Sequence, residues 1–234
     1  MGRNAMNEQD KEARRRALLE AARRLFRDRI DLPPVSEIAT SSGLAKGTVY
    51  LYFKTKEEIF IALLEDDFAK LFDELHSIIN ELPENGVEAS ALFARRYFST
   101  ILDLQDFLPL ASLANGVLEQ NLPTDVMRGF KEKLAIGLVN AGRMVEARFG
   151  KLVKGQGATL LLQTYALTLG LWQALDYPVA LRELLNEEAL QPLNRHFATE
   201  LAAGIGSLWL GCLMATNTNT ESKPEPQVML RGRP

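Results

Sequence analysis

The side chains best suited to chemistry occur in a short stretch of basic, hydroxyl and aromatic residues near the N-terminus. At 100° per residue of helix, Val49 and Phe53 share a buried side. The outward flanks then carry Lys46 with Tyr50 and Thr48 with Tyr52. Ammonium, hydroxyl and phenol groups donate hydrogen bonds to phosphate oxygens and base edges. The pattern therefore favours a helix that inserts its exposed side into a DNA groove.

A tight turn sets a second helix before this one. Val35, Ile38 and Ala39 fall on one helical face at spacings of three and four. Gly43 stands where a helix ends in a left-handed residue, and Leu44 supplies the hydrophobic contact that accompanies such an end. Helix, glycine turn and helix make up a helix-turn-helix, whose second helix reads base edges while the first crosses the backbone.

This segment resembles the tetracycline-repressor (TetR) family of transcription regulators. The residues that carry the resemblance, in the family's order, are Ile38-Ala39, Gly43-Leu44, Lys46-Gly47-Thr48-Val49-Tyr50, Tyr52-Phe53 and Lys56-Glu57-Glu58. The resemblance implies an all-α fold: an N-terminal three-helix helix-turn-helix domain, joined by a long helix to a C-terminal helical domain for ligand binding and dimerisation. It also implies a homodimer that binds a palindromic double-stranded DNA operator.

The chain departs from the family at the start of the motif. Pro34, behind Pro33, stands where members usually carry a threonine that caps the helix and often contacts a phosphate. Proline is tolerated at a helix start because its missing N–H would be unpaired there anyway. Ser36 is the remaining hydroxyl that can reach a phosphate, and the alternative is a plain solvated serine.

A capping box marks the next helix, since Glu58 follows Thr55 by three residues. Lys56 opposes the helix dipole there, which indicates that it points toward an anion; by resemblance this is a DNA phosphate. The predicted DNA-binding residues are Ser36, Lys46, Gly47, Thr48, Tyr50, Leu51, Tyr52 and Lys56. Of these we expect Thr48, Tyr50, Tyr52 and Lys56 at phosphates, and Lys46, Gly47 and Leu51 nearest the bases.

The chain has a net charge of −3, and this charge is distributed unevenly along the sequence. Residues 1–60 carry twelve Lys and Arg against nine Asp and Glu, a net +3, which leaves −6 for the remainder. A basic head can replace the counterions of DNA, while an acidic body discourages binding elsewhere. The run Arg14 to Arg16 is either an arm that contacts the DNA backbone or a solvated helical segment.

Length and composition suit one small head and one larger body, at 234 residues of which 47% are hydrophobic. We expect a DNA-binding domain over residues 1–54, a ligand-binding and dimerisation domain over 55–215, and a disordered tail over 216–234. The single cysteine, Cys212, excludes an internal disulfide. The N-terminus has no apolar signal region, and the longest apolar run, Leu201 to Ala215, is short of the roughly 20 residues that span a bilayer. We expect a cytoplasmic protein with no membrane partner.

Hydrophobic periodicity predicts a long helix over residues 55–82 that ties head to body. Further helices are predicted over 87–104, 108–120, 124–149, 156–176 and 188–214. The last two are apolar over more than one face, and Gly204 and Gly206 allow another helix to approach closely. A four-helix contact between two copies is the natural cover, and the alternative is that both are core helices of a monomer.

An effector cavity among the central helices follows from the resemblance, with most of the aromatic residues there expected to be ordinary core. The predicted ligand-binding residues are Phe93, Phe107, Asn115, Glu119, Met127, Phe130, Tyr165 and Trp172. We expect an uncharged or weakly polar small organic effector, whose identity the sequence does not give.

Catalysis finds little support in the residues. His76 and His196 are isolated from any partner at a metal-ligand spacing, so no metal, cofactor or enzyme activity is expected. The family resemblance implies a ligand-responsive repressor. Two alternatives remain: a DNA-bound structural or interaction factor without an effector, and a helical module that binds a lipid or metabolite.

Overall fold

The computed structural model describes residues 3–27, 29 and 31–215, and all regular elements within these ranges are helical. The α-helices are α1 (Arg3–Phe26), α2 (Val35–Ser42), α3 (Lys46–Val49), α4 (Lys56–Glu81), α5 (Gly86–Asp103), α6 (Phe107–Leu113), α7 (Thr124–Arg148), α8 (Gln156–Leu175), α9 (Val179–Leu184) and α10 (Phe197–Met214). A π-helical turn (Ala114–Leu118) continues α6, and a 3₁₀ helix (Glu188–Leu193) precedes α10. The expected tail, residues 216–234, lies outside the described residues.

The head consists of α1, α2 and α3 packed against the start of α4. Ile38, Ala39 and Val49 are buried in its core. Gly43 has φ of +71°, and its N–H donates to the carbonyl of Thr40 at 3.2 Å. This left-handed residue, which glycine adopts without steric cost, turns the chain between α2 and α3 as the sequence predicted.

Helix α4 begins at the predicted capping box. The N–H of Glu58 donates to Oγ1 of Thr55 at 3.2 Å, while the Glu58 carboxylate accepts from the N–H of Lys54 at 2.7 Å. One donor of the first helical turn, the Glu58 N–H, and the N–H of Lys54 just before the N-cap are both satisfied in this way. The helix then buries one long apolar stripe, and it packs on α1 at the head end and on α5, α6 and α7 in the body.

The body is a bundle in which α5 packs on α10, α7 on α8, and α8 on α10. At its centre the Phe93 ring stacks on that of Trp209, with centroids 3.5 Å apart, and the indole N–H of Trp209 donates to Oγ1 of Thr164 at 3.0 Å. Helices α7 and α8 cross where Gly142 faces Gly157, so closely that a Cβ on Gly157 would lie 2.1 Å from the Gly142 carbonyl oxygen.

Two predicted helices are divided in the structure. The helix predicted over 108–120 is present over residues 107–118, but from Ala114 onward its turn is π-helical. The prediction over 188–214 was wrong in its first part: a 3₁₀ helix containing Pro192 ends at Leu193, and α10 begins only at Phe197. Pro192 has no N–H to donate to a helical carbonyl and therefore disfavours a continuous α-helix through this point.

Candidate DNA interface and effector cavity

Six of the eight residues predicted to bind DNA lie in one segment, Lys46 to Phe53, here called the recognition segment. Its regular part, α3, is a single turn, and backbone hydrogen bonds from Leu51 to Thr48 and from Phe53 to Val49 carry the winding onward. Val49 and Phe53 face the head core. Leu51 is 81% exposed. The segment is thus held rigidly by its inner side while its outer side stays open.

The predicted DNA-binding residues share this outer surface to different degrees. Lys46, Gly47 and Tyr50 are exposed, with Tyr50 at 47%. The partly buried ones are Thr48, Tyr52 and Lys56, the last at the start of α4. Ser36 is exposed on α2 and borders a shallow groove with Glu37, Thr40 and Ser41. None of these side chains is enclosed in the core, so the surface that DNA contact requires is present.

A cavity of about 260 Å³ lies in the body between α4, α5, α7 and α8; we call it the body cavity. Its lining residues are Phe68, Leu71, Phe72, Leu75, Tyr97, Lys131, Leu134, Leu138, Leu161, Leu162, Thr164 and Tyr165. Lys131 alone among them is charged. An apolar cavity with a few polar groups at defined points is the usual form of a small-molecule site.

Two polar residues of the body cavity, Lys131 and Tyr165, are both influenced by Glu119. Nζ of Lys131 forms an ion pair with Oε1 of Glu119 at 2.5 Å. Burial, and secondly the negative charge of Glu119, raise the pKa of Tyr165 to about 12. The Tyr165 phenol is therefore protonated at neutral pH and can donate a hydrogen bond. A bound molecule would meet this ammonium and phenol, the side chains of Tyr97 and Thr164, and otherwise hydrocarbon.

A second pair of hydroxyls lies deeper. The oxygens of Tyr97 and Thr168 are 3.2 Å apart, and both residues are buried. Burial is the main cause that raises the pKa of Tyr97, with the Thr168 hydrogen bond acting in the opposite direction. Burial also raises the pKa of the Cys212 thiol, which disfavours the reactive thiolate.

The structure distributes the predicted ligand-binding residues over several places. Tyr165 lines the body cavity, and Glu119 reaches it through Lys131. Phe107 and Phe130 do not line the body cavity themselves, but the ring of each contacts the ring of Phe68, which does. The remaining residues lie as follows: Phe93 packs on Trp209, Trp172 packs on Phe197, Met127 packs at the edge of the core, and the side chain of Asn115 lies outside the described part of the chain.

Ion pairs join the head to the body, and nothing in the sequence pattern signalled them. The guanidinium of Arg23 on α1 donates to both carboxylate oxygens of Asp67 on α4, at 2.8 and 3.0 Å. Asp106, just before α6, accepts from Arg27 at 3.2 Å and lies 3.6 Å from Arg23. Both carboxylates are buried. A two-point arginine–carboxylate contact fixes distance and orientation together.

Family models match both parts of the chain. Residues 18–63 match the model described as bacterial regulatory proteins, tetR family, and residues 65–216 match the tetracyclin repressor-like C-terminal domain. The fatty acid metabolism regulator protein of Bacillus subtilis (strain 168) is 37% identical over 67 residues, which are 29% of this chain and 34% of that protein. The chain therefore matches only about a third of the length of this relative.

Solved structures share the fold. The fatty acid degradation regulator FadR from Bacillus halodurans is 19% identical, with a TM-score of 0.56 over 86% of this chain and 96% of its own. FadR from Bacillus subtilis in complex with stearoyl-CoA is 19% identical, with a TM-score of 0.52 over 83% of this chain and 96% of its own. A putative TetR-family transcriptional regulator from Mesorhizobium loti is 19% identical, with a TM-score of 0.56 over 86% of this chain and 96% of its own.

Proposed function

Because the chain belongs to the tetracycline-repressor family of DNA-binding, non-enzymatic transcription regulators, we propose that it is a homodimeric repressor of a palindromic operator, released when an effector with a long apolar chain fills the body cavity. The apolar lining of that cavity, next to the helix that carries the head, is the main support for a ligand-responsive protein. A DNA-bound structural factor would have no need of it.

The head suits the reading of a duplex. Lys46 and Gly47 begin the exposed side of the recognition segment, where helix-turn-helix proteins contact base edges. Thr48, Tyr50 and Lys56 flank that edge with donors for phosphate oxygens. Two such heads, spaced near the 34 Å of one DNA turn, would bind a palindromic site. The protein would act in the cytoplasm, where it can reach its operator.

The dimer is proposed from the exposure of apolar surface. Among the described residues, α10 is the helix long and apolar enough to cross a membrane by length and composition alone, with a mean hydropathy of 1.4, yet only 22% of it is buried within the chain. Gly204 is occupied internally, since a Cβ there would lie 3.0 Å from Leu167 of α8. Gly206 and Gly211 face open space, as close approach of a partner helix requires. A second copy would cover this surface as a four-helix contact.

The effector is proposed to be a long-chain acyl compound with an anionic end. Hydrocarbon would contact the leucines and phenylalanines of the cavity, and the anion would compete with Glu119 for Lys131. An acyl thioester of coenzyme A meets both requirements, and FadR from Bacillus subtilis, solved with stearoyl-CoA, has the same overall fold. The position of Lys131 in the cavity lining favours an anionic end over the uncharged or weakly polar effector expected from the sequence.

A short route along α4 would connect the cavity to DNA. Phe68 lines the cavity, and its neighbour Asp67 holds Arg23 of the head. A ligand that pushes Phe68 outward would therefore move the carboxylate on which α1 is seated. In a dimer such a displacement changes the spacing of the two recognition segments, and so weakens simultaneous binding to both half-sites.

Footprinting on the DNA that flanks the gene, with and without stearoyl-CoA, tests the proposal. We expect a dimer-sized footprint that stearoyl-CoA removes and that Lys131→Ala makes at least several-fold less sensitive to the thioester. Lys133→Ala is the matched control, because Lys133 pairs with Glu65 and does not line the cavity. A footprint that acyl compounds leave intact would favour the structural factor without an effector. Absence of any footprint would favour the lipid- or metabolite-binding module.

A further inference from the structure

Helix α1 is longer than the head needs. It begins at Arg3, but continuous burial against the head starts only at Leu18, and residues 8–14 are all exposed. At about 1.5 Å per residue, the part between residues 8 and 18 projects about 15 Å. A short helical segment is only marginally stable in water on propensity alone, so contact with a surface would stabilise this projecting part.

The projecting part carries a basic stripe in line with the buried face of α1. Lys11 precedes Leu18 by seven residues, which places the two about 20° apart around the helix. Arg14 and Arg15 lie about 40° and 60° to either side of Leu18 by the same count. The face that is apolar where α1 packs on the head is therefore cationic where α1 leaves it.

One contact shows which way this stripe points. The guanidinium carbon of Arg15 lies 5.6 Å from the centre of the Phe53 ring, at the end of the recognition segment. Lys11 lies one turn further out on α1 and about 40° from Arg15 around the helix, whereas Arg14 directly precedes Arg15 and lies about 100° from it, on the other side of the stripe's centre. The stripe thus extends the surface formed by the recognition segment rather than the opposite side of the head.

The acidic residues of this part leave the centre of the stripe clear. Glu12 pairs with Arg16 at 3.5 Å, on the far side of the helix. Glu8 and Asp10 lie about 80° to either side of Leu18, at the edges of the stripe. The first turn of α1 also contains no acidic residue, so its dipole favours an anion near that end.

We propose that the projecting part of α1 is a second DNA contact, in which Lys11 and Arg14 bind backbone phosphates beyond the groove that holds the recognition segment. This inference rests on the proposed function. Phosphate fits better than an acidic protein surface, because the stripe continues a face whose other exposed donors are Lys46 and Tyr50. Contacts of this kind add affinity and orientation without sequence preference.

Salt-dependent binding of the full chain to operator and random DNA tests the inference. Each lost phosphate contact lowers the slope of log affinity against log salt by about 0.9, so Lys11→Ala/Arg14→Ala should lower it by about 3.6 in a dimer. Between 50 and 200 mM salt, the fall in affinity should then be about 150-fold smaller than for the wild type. Both DNAs should lose affinity alike, and Arg16→Ala should change the slope by less than half a unit.

An unchanged slope in the double variant, with the wild type still binding its operator, would overturn the inference and leave the proposed function intact. An equal reduction in Arg16→Ala would also overturn it, because the effect would then come from general charge. Failure of the wild type to bind any DNA would instead refute the proposed function. Alanine favours helix, so circular dichroism should show α1 retained in both variants.

Discussion

The ion pair between Arg23 and Asp67 gives an asymmetric prediction for stability. The Asp67 side chain is 1% exposed and the Arg23 side chain 24%, so the two partners differ in what each loses when left alone. Arg23→Met leaves a buried carboxylate whose next cation is Lys70, at 3.7 Å on a side chain that is 62% exposed. Removing one partner of a buried pair costs about 3–5 kcal/mol, and partial relief from Lys70 places this variant near ~3 kcal/mol.

The reciprocal change should cost less. After Asp67→Asn, the arginine keeps Asp106 at 3.6 Å, remains partly solvated, and can still donate to the amide oxygen. We expect a loss of about 1 kcal/mol, close to that of one ordinary hydrogen bond. Lys70→Ala is the control on the same carboxylate and should cost less than about 1 kcal/mol, because an exposed ion pair contributes little.

Thermal unfolding at fixed protein concentration measures these differences, since the midpoint of the proposed dimer would depend on concentration. For a chain of this size about 2–4 °C corresponds to 1 kcal/mol, so Arg23→Met should lower Tm by about 6–12 °C and Asp67→Asn by about 2–4 °C. The apolar pair Arg23→Met/Asp67→Leu should recover most of the stability but weaken the release of DNA by stearoyl-CoA. An Asp67→Asn variant at least as unstable as Arg23→Met would refute this account of the junction.

Two further outcomes follow from the head and the bundle. Lys56→Ala should weaken binding to all DNA sequences and lower the slope of log affinity against log salt by about 0.9 per protomer. Lys46→Ala should in addition relax the preference for the operator sequence. If both variants weaken binding to operator and random DNA equally, Lys46 does not read bases. Gly157→Ala should lower the free energy of unfolding, measured in urea, by about 1–3 kcal/mol, because its Cβ would collide with the Gly142 carbonyl. Gly170→Ala is the control and should not destabilise the protein, because the space around Gly170 is open. Equal free energies of unfolding for the two variants would contradict the close crossing of α7 and α8.

The sequence predicted the head well because its signals are local. Gly43, the Thr55–Glu58 capping box and the apolar spacing of α4 each depend on residues within a few positions of one another. Such features survive in almost any tertiary context, since backbone hydrogen bonds and helical periodicity are set by neighbours along the chain. The long helix predicted over residues 55–82 is accordingly present as α4, Lys56–Glu81, although its packing partners were unknown from the sequence.

The composition of the body cavity was less accessible. Its wall is assembled from four helices, and which residue of one faces which residue of another depends on axial shift and rotation that periodicity leaves undefined. Tyr165 and Phe93 are both aromatic residues of predicted body helices, yet Tyr165 lines the cavity and Phe93 stacks on Trp209. In the sequence Lys131 looks like an ordinary solvated lysine, and only its pairing with Glu119 across helices distinguishes it.

The junction between head and body combines two properties that an apolar contact would separate. Apolar surfaces resist separation but permit sliding, because their free energy depends mainly on buried area. The two-point contact of Arg23 with Asp67 resists sliding as well, since a small lateral shift breaks one of its two hydrogen bonds inside a buried site. Phe68, the next residue along α4, borders the body cavity. A ligand that displaces Phe68 would therefore also move Asp67, the residue that holds α1 through Arg23. A head held in this way would move together with α4 as one rigid unit. In a dimer, this coupled movement is what would change the distance between the two recognition segments.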